Sequence, residues 1–272
     1  MKSKKIVTIL FYALNIFFAA VILLPIVYCF NVSMMEMKEV YSGSFWPHQI
    51  ILDNYEKALK LAPFGRFIIN SLIVSVTATA GQIITGALAA YAFSMMRFKG
   101  KNVLFMLMLA TMMIPGQAII IANYLTIANW GLRDTYTALI IPNLATAFAV
   151  FNMRQAFLQL PMEIKEAADI DGCTNFKFFY KIALPLIKPS VGALGIYVFL
   201  QSWNHYLWPL LVTDSVNMRT VQIGLGMLQG AESTDFRPVM AGSMIILVPS
   251  ILAFVAGQKQ LISGLTAGSV KG

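Results

Sequence analysis

Long apolar stretches separated by short polar segments dominate this chain. Six of the stretches are long enough to cross about 30 Å of hydrocarbon as a helix. They run over Ile6–Phe30, Phe67–Phe93, Val103–Ala122, Tyr136–Phe157, Ser190–Leu211 and Val239–Gly257. The pattern predicts an all-helical integral membrane protein with six transmembrane helices.

The composition supports this prediction and excludes several classes of protein. Of the 272 residues, 58% are hydrophobic and 12% are charged, whereas a soluble domain is about 45–50% apolar and about 25% charged. A secreted enzyme and a disordered tail are therefore excluded. The two cysteines, Cys29 and Cys173, provide neither a disulfide framework nor a thiolate metal site.

The first apolar stretch differs from a cleaved signal peptide. Lys2, Lys4 and Lys5 precede it as they would in a signal sequence, but the apolar run is too long and no small-x-small site follows. A lipoprotein site at Cys29 is disfavoured because the bulky Tyr28 precedes it. We therefore predict an uncleaved first span.

The distribution of charge predicts the orientation of the spans. With both termini in the cytoplasm, the inner segments hold 13 basic and 4 acidic residues, and the outer segments hold 7 basic and 8 acidic residues. The inner net charge of +9 and the outer net charge of −1 together give the overall +8. Since the positive-inside rule accounts for this basic charge, no nucleic-acid partner is expected.

The six predicted spans contain no aspartate or glutamate, and the chain has no phosphate-binding GxxxxGK[ST] loop. A secondary carrier would need ion-binding groups at membrane depth. A membrane enzyme would need paired carboxylates, a histidine cluster or an activated nucleophile, and only His205 is present there. The sequence therefore predicts a protein that is not an enzyme, and uphill transport would take its energy from another subunit.

The polar inner connection 159–188 contains a short predicted helix. Glu163 and Glu166 fall in its first turns, where carboxylates complement the helix dipole. A helix lying on lipid would instead carry basic residues beside a large apolar face. The acidic, small-residue character of this segment favours docking to another protein.

Small residues define the second half of this predicted helix. Ala167 and Ala168 let another surface approach closely, and Gly172 permits the turn that ends the helix. The sequence Glu166-Ala167-Ala168, three further residues, Gly172, nine residues and Ile182-x-Leu184-Pro185 resembles the EAA signature of permease subunits of ABC importers. Asp171 fits the signature, and Cys173 stands where a small residue such as alanine is usual.

Other motifs resemble the shorter, second permease of carbohydrate importers of the maltose and glycerol-3-phosphate type. They are Leu160-Pro161-x-Glu163, Trp203-Asn204, Trp208-Pro209-Leu210 and the ending Gly264-Leu265-Thr266-Ala267-Gly268-Ser269-Val270-Lys271-Gly272. His205 stands where that family often has an acidic residue.

The resemblance implies a type I ABC importer permease with a coupling helix that docks into a partner ATPase. The implied coupling residues are Glu163, Glu166, Ala167, Ala168, Asp171, Gly172 and Cys173. The implied tail contacts are Gln260, Gly264, Thr266 and Lys271. The expected organisation is one permease domain (1–272), with a five-helix unit (67–258), a coupling loop (159–188) and a cytoplasmic tail (258–272).

The resemblance also implies partners in a prokaryotic cytoplasmic membrane. These are a homologous second permease subunit, two ABC ATPase subunits, an extracellular or periplasmic solute-binding protein and membrane lipid. No cofactor or metal is expected on this chain, because ATP and Mg²⁺ would belong to the ATPases. The solute would be an oligosaccharide, a polyol or a glycerol phosphate, and an amino-acid or phosphate permease is the closest alternative.

Polar residues in the predicted spans are candidates for the solute path, namely Gln82, Asn143, Gln201, Trp203, Asn204 and His205. A sugar site needs a flat aromatic face and amides for hydroxyl groups. An aromatic belt at the outer leaflet is the alternative, and it is favoured for Trp208. The small and polar residues of the second and fourth spans favour helix packing, and Gln82 needs a partner or water.

Two further segments have more than one interpretation from the sequence. Pro115-Gly116 is expected to kink the third span as either a gate or a bend. The outer segments 32–66 and 213–238 are solvated loops or, by the resemblance, surfaces for the solute-binding protein, and Asp53–Lys60 has the periodicity of a short helix.

Overall fold

The computed structural model describes the backbone of residues 2–231 and 235–266, with side chains over 5–230 and 235–260. Its helices are α1 (Lys2–Val32), α2 (Met37–Tyr41), α3 (Asp53–Leu61), α4 (Phe64–Met95), α5 (Lys101–Thr111), α6 (Gly116–Asn129), α7 (Tyr136–Ile140), α8 (Ala147–Leu158), α9 (Met162–Ile170), α10 (Asn175–Phe178), α11 (Leu184–Leu186), α12 (Lys188–Trp203), α13 (Leu207–Val212), α14 (Val221–Ala231) and α15 (Arg237–Thr266). Short 3₁₀ turns cover Ile141–Asn143 and Val216–Met218, and Phe179–Ala183 is π-helical. No strand occurs in this described part of the chain.

Three helices are long and apolar enough to cross a membrane unbroken: α1, α4 and α15. Three further helix pairs are sharply bent. The bends are 94° between α5 and α6, 46° between Tyr136–Asn143 and α8, and 77° between Asn175–Leu186 and α12. The described residues therefore contain up to six spans, in agreement with the all-helical membrane fold predicted from the sequence.

The third predicted span, Val103–Ala122, is divided between the two helices α5 and α6. The chain leaves the α-helix at Met112, tightens through i→i−3 hydrogen bonds, and restarts after Pro115. Proline lacks an N–H and disfavours a helical conformation at the residue before it. The expected kink at Pro115-Gly116 is thus a break of 94°.

The fourth and fifth predicted spans also differ from the structure. A break at 144–146 interrupts Tyr136–Phe157, and the fifth helix ends at Trp203 instead of continuing to Leu211. Asn204, His205 and Tyr206 separate α12 from α13. The apolar pattern alone does not reveal these breaks, because the flanking residues remain apolar on both sides.

The chain divides into two compact units, Met1–Phe64 with Gly224–Val248, and Gly65–Ile223 with Pro249–Gly272. In the first unit, the buried Asn54 donates to the carbonyls of Ser33 (3.0 Å) and Met35 (3.1 Å), which fixes α3 to the end of α1. Along α1 the apolar side chains from Ile6 to Tyr28 are exposed.

The core of the second unit gathers residues from α4, α8, α9, α12 and the π-helical segment. Tyr91 is central to this core, with its ring 5.2–6.4 Å from the rings of Phe157, Phe178 and Phe179. Its hydroxyl donates to the carbonyl of Asn175 at 3.1 Å. Close helix approach depends on glycine here, because a Cβ on Gly86 would lie 3.0 Å from the Cβ of Ala149.

Candidate functional site

The short helix α9 forms as the sequence predicts, and its end is a glycine-terminated cap. The N–H of Gly172 donates to the carbonyl of Asp169 (3.1 Å), and the N–H of Cys173 donates to that of Ala168 (2.9 Å). This is a Schellman motif, which requires a left-handed residue after the helix. Gly172 adopts a φ of +70° there, and a Cβ at this position would meet open space.

One face of α9 is exposed. Glu163, Glu166, Ala167, Asp171 and Gly172 are all accessible. The exposed surface also includes apolar side chains that the motif did not identify, because Ile170 is 87% exposed and Phe176 is 68% exposed. Such large exposed apolar groups on a polar segment are typical of a protein interaction site.

The other face of α9 packs into the protein. Ala168 is 7% exposed and lies in the core cluster, and Cys173 is half-buried against that cluster. Of the two alanines in the motif, Ala167 therefore contributes to the accessible surface and Ala168 to internal packing. The expectation that Ala168 offers a surface for close approach does not fit this burial.

Lys165 is a buried cation in α9 that the motif did not reveal. Its ammonium group pairs with the carboxylate of Asp169 one turn later and lies 5.3 Å from the centre of the Phe178 ring. The side chain of Lys165 is 10% exposed, and that of Asp169 is 55% exposed. The spacing of four residues between the oppositely charged Lys165 and Asp169 was the signal in the sequence for this ion pair.

A cavity of about 260 Å³ lies within the second unit. Its polar lining residues are Gln82, Asn143, Thr146, Gln201, Ser202 and His205, and its apolar lining residues are Ala78, Phe148, Tyr197 and Val198. Four of the six residues expected along the solute path are therefore brought together, namely Gln82, Asn143, Gln201 and His205.

Polar side chains of α4 bind the backbone carbonyl groups at the break between α7 and α8. The amide nitrogen of Gln82 donates to the carbonyl of Asn143 (2.9 Å), and Thr85 donates to that of Leu144 (2.9 Å). Thr146 donates to the Gln82 side-chain oxygen at 2.9 Å. Since a helix break leaves carbonyl groups without intrahelical partners, these side chains take over that role and fix the orientation of the Gln82 amide.

Helical spacing places two side chains of the cavity wall, Tyr197 and Gln201, one turn apart on α12. His205 follows in the break after α12 and also lines the cavity. The Nε2 of Gln201 lies 3.2 Å from the Tyr197 hydroxyl, and the rings of Tyr197 and Phe148 are 4.7 Å apart. The sequence prediction missed Tyr197 and Phe148, although the spacing of Tyr197 to Gln201 could have identified the former.

Two expected path residues do not line this cavity. Trp203 is 1% exposed and stacks on Phe199 with the ring centres 5.9 Å apart. Asn204 is exposed, donates to the carbonyl of Leu200 and pairs with Gln222 at 3.1 Å. In this structure Trp203 is a core residue, and Asn204 lies on the surface beside the break after α12.

The aromatic-belt interpretation of Trp208 is wrong. Its side chain is buried, and its indole N–H donates to the carbonyl of Ala138 at 3.0 Å. In a regular helix the N–H of residue 142 would bind that carbonyl, but residue 142 is a proline. The indole of Trp208 therefore replaces a backbone donor that Pro142 cannot provide.

Three of the four residues expected to contact the ATPase from the tail lie on the described backbone. Gln260 lies at a close helix crossing, because a Cβ on Gly192 would come within 2.8 Å of the Gln260 Cβ. Gly264 and Thr266 continue α15, which ends at Thr266. Lys271 lies outside the described residues. No cluster of metal-ligating side chains occurs within the part of the chain that the structure describes.

The candidate spans, the cavity with its polar side chains and the exposed short helix α9 are features compatible with the class of multi-pass membrane transport proteins. The sequence model of the family described as "Binding-protein-dependent transport system inner membrane component" matches residues 82–260. The chain belongs to this family, and it is a multi-pass inner membrane protein.

Two relatives extend the likeness over most of the chain. One is the arabinooligosaccharides transport system permease protein AraQ of Halalkalibacterium halodurans, at 37% identity over 89% of this chain and 88% of the relative. The other is the sn-glycerol-3-phosphate transport system permease protein UgpE of Escherichia coli, at 33% identity over 97% of this chain and 98% of the relative.

Solved structures share the fold. A crystal structure of a bacterial ABC transporter involved in the import of the acidic polysaccharide alginate includes a chain with a TM-score of 0.79 and 25% identity. That likeness covers 95% of this chain and 98% of the solved one. The same fold recurs, with a TM-score of 0.62 and 14% identity, in an alginate transporter in complex with its alginate-bound periplasmic protein.

Proposed function

We propose that this chain is the permease subunit of an ATP-driven importer and forms half of the path for a carbohydrate or a related polyol. The proposal combines the family membership with the relatives, which are permeases for arabinooligosaccharides and sn-glycerol 3-phosphate. The paired subunit is a homologous permease, and a solute-binding protein delivers the solute from the outside. Both termini lie in the cytoplasm, in accordance with the positive-inside distribution of charge.

The observation that carries the proposal is the exposed face of α9 around Ala167 and Gly172. It combines carboxylates, a small residue and the exposed Ile170, while Lys165 and Ala168 anchor the opposite face to the core. A helix held in this way transmits force, because displacement of its exposed face moves the core behind it. The contact surface is Glu163, Glu166, Ala167, Asp171 and Gly172, and it docks on an ATPase that carries ATP and Mg²⁺.

The test is the substitution Gly172→Leu in the complete importer, reconstituted with its ATPases, second permease and binding protein. A leucine projects into open space that the ATPase is proposed to fill. We expect membrane insertion to persist while the number of solutes transported per ATP falls at least tenfold. Undiminished transport would contradict the coupling role of α9.

Gly131→Leu is the matched control. Gly131 has a φ of +67° and open space around its Cβ position, so the substitution imposes the same backbone strain away from α9. Equal loss of transport in both variants would attribute the effect to strain and remove the support for docking. Uptake that is driven by an ion gradient without ATP would instead identify a secondary carrier.

A further inference from the structure

The wall of the cavity combines apolar surface with amide and hydroxyl groups and the imidazole of His205. None of the described side chains that line it is an aspartate, glutamate, lysine or arginine. Amides of Gln82, Asn143 and Gln201 and hydroxyls of Thr146 and Ser202 provide both donors and acceptors. Such a wall can bind hydroxyl groups, which also donate and accept.

Part of this polar wall is fixed in orientation before any solute arrives. The Gln82 amide is held between the Asn143 carbonyl and the Thr146 hydroxyl, both at 2.9 Å. The Nδ2 of Asn143 donates to the carbonyl of Leu139 at 3.2 Å, which leaves its side-chain oxygen as an acceptor. Groups held in this way lose little conformational entropy when they bind a ligand.

An aromatic pair lies beside the amides. The rings of Phe148 and Tyr197 are 4.7 Å apart and tilted by 38°, and the Tyr197 hydroxyl is within 3.2 Å of Gln201. A sugar ring has an apolar C–H face and a rim of hydroxyl groups. Aromatic rings next to amides match both surfaces of such a ring.

The absence of lysine and arginine from the described lining disfavours an anionic ligand. A phosphate or carboxylate that enters a partly dehydrated cavity loses hydration energy, which proteins usually compensate with cations and charge-assisted hydrogen bonds. A neutral hydroxylated ligand needs no such compensation. The volume of about 260 Å³ equals that of roughly nine water molecules in the liquid, which suits one sugar unit.

We propose that this cavity binds one uncharged, hydroxyl-rich unit of the solute directly, an inference that rests on the proposed function. This subunit therefore contacts the solute, and the part of the solute that it contacts carries neither phosphate nor carboxylate. The inference separates a neutral saccharide from the charged solutes named for two of the relatives, sn-glycerol 3-phosphate and alginate.

The experiment introduces a positive or a negative charge at one position of the cavity wall. Gln201→Lys and Gln201→Glu are introduced into the complete importer, and uptake into proteoliposomes is measured with radiolabelled arabinotriose, maltotriose and sn-glycerol 3-phosphate. We expect uptake of a neutral saccharide by the native importer. Since a neutral ligand has no net charge to attract or repel, both variants should raise its KM in the same direction, by about fivefold or more.

Further variants distinguish a subsite from a general defect. Phe148→Ala is expected to raise the KM of the saccharide while ATP hydrolysis stimulated by the binding protein is retained. Gln117→Leu is the control, because Gln117 is exposed on α6 and does not line the cavity, and its KM should stay within about twofold of the native value.

Several results would overturn the inference. They are uptake of sn-glycerol 3-phosphate alone, opposite effects of the Lys and Glu variants, unchanged kinetics in all Gln201 and Phe148 variants, or uptake of none of the three probes. If ATP hydrolysis still responds to the binding protein in these cases, the proposed function stands and only the neutral subsite fails. If ATP neither drives uptake nor responds to the binding protein, the proposed function fails as well.

Discussion

The hydrogen bond between Trp208 and the Ala138 carbonyl makes a sharp prediction about stability. Trp208→Phe keeps an aromatic ring in the site and removes the only indole N–H of that side chain. The Ala138 carbonyl then lies in the protein interior next to Pro142, which has no N–H to offer. The substitution should therefore leave a buried acceptor unsatisfied.

The expected loss follows from the cost of an unpaired buried group, about 1–3 kcal/mol. Trp203→Phe is the matched control, since Trp203 is equally buried and its indole nitrogen has no hydrogen-bond partner among the described residues. Both substitutions remove a similar volume of ring. The Trp203 substitution also removes an unsatisfied buried N–H, which is favourable, so Trp208→Phe should be the more destabilising by at least that amount.

A second substitution tests the origin of the unsatisfied carbonyl. Pro142→Ala supplies a backbone N–H at the position where a regular helix would bind the Ala138 carbonyl. In the double variant Trp208→Phe/Pro142→Ala, we expect most of the lost stability to return. The two residues should thus be coupled in a double-mutant cycle by at least about 1 kcal/mol.

The assay is thermal unfolding of the purified subunit in detergent, followed by circular dichroism. A loss of about 2 kcal/mol corresponds to a fall in Tm of roughly 4–8 °C for a chain of about this size. Equal falls in Tm for Trp208→Phe and Trp203→Phe would refute the reasoning. Failure of Pro142→Ala to restore the Tm would also refute it.

Two further predictions concern charged groups outside the cavity. Asp169→Ala should destabilise the protein by about 1–3 kcal/mol in the same unfolding assay, because it leaves the buried Lys165 ammonium unpaired. Lys165→Met should cost less, because it leaves the half-exposed Asp169 carboxylate, which water can hydrate. A larger loss for Lys165→Met would contradict this prediction. Backbone N–H groups of His48 and Glu36, together with the His48 ring, hold the pKa of Glu39 below its ordinary 4.5 against the opposing effect of burial. The stabilisation is therefore complete above that ordinary pKa and is lost as the pH falls through the lower folded value. The exchange rate of the His48 amide hydrogen, divided by its intrinsic rate, should therefore rise at acid pH. In Glu39→Gln this ratio should be higher and nearly independent of pH. A ratio that does not change with pH in the native protein would contradict the prediction.

The sequence predicted the continuous helices and also the short helix α9, whose C-terminal cap is formed by neighbouring residues. Apolar runs identify α1, α4 and α15 because each is a single regular helix. The end of α9 was predictable because its cap depends on Gly172 and on hydrogen bonds within a few residues. In these cases the determining interactions are short-range.

The broken helices and the cavity were predictable only in part. The break after α7 is stabilised by Gln82 and Trp208, which are 61 and 70 residues away from the carbonyls that they bind. No local pattern contains such partners. For the same reason Trp208 resembled a residue of the membrane interface, although it is buried.

The side chains that α4 offers to the helix break also affect how a ligand would bind. Gln82 and Thr85 occupy the acceptor sites on the Asn143 and Leu144 carbonyls, which ordered water would otherwise fill. Water that leaves the cavity therefore need not be pulled from these main-chain groups. Solvent can be exchanged for solute at this wall without breaking the hydrogen bonds that hold the two halves of the helix together.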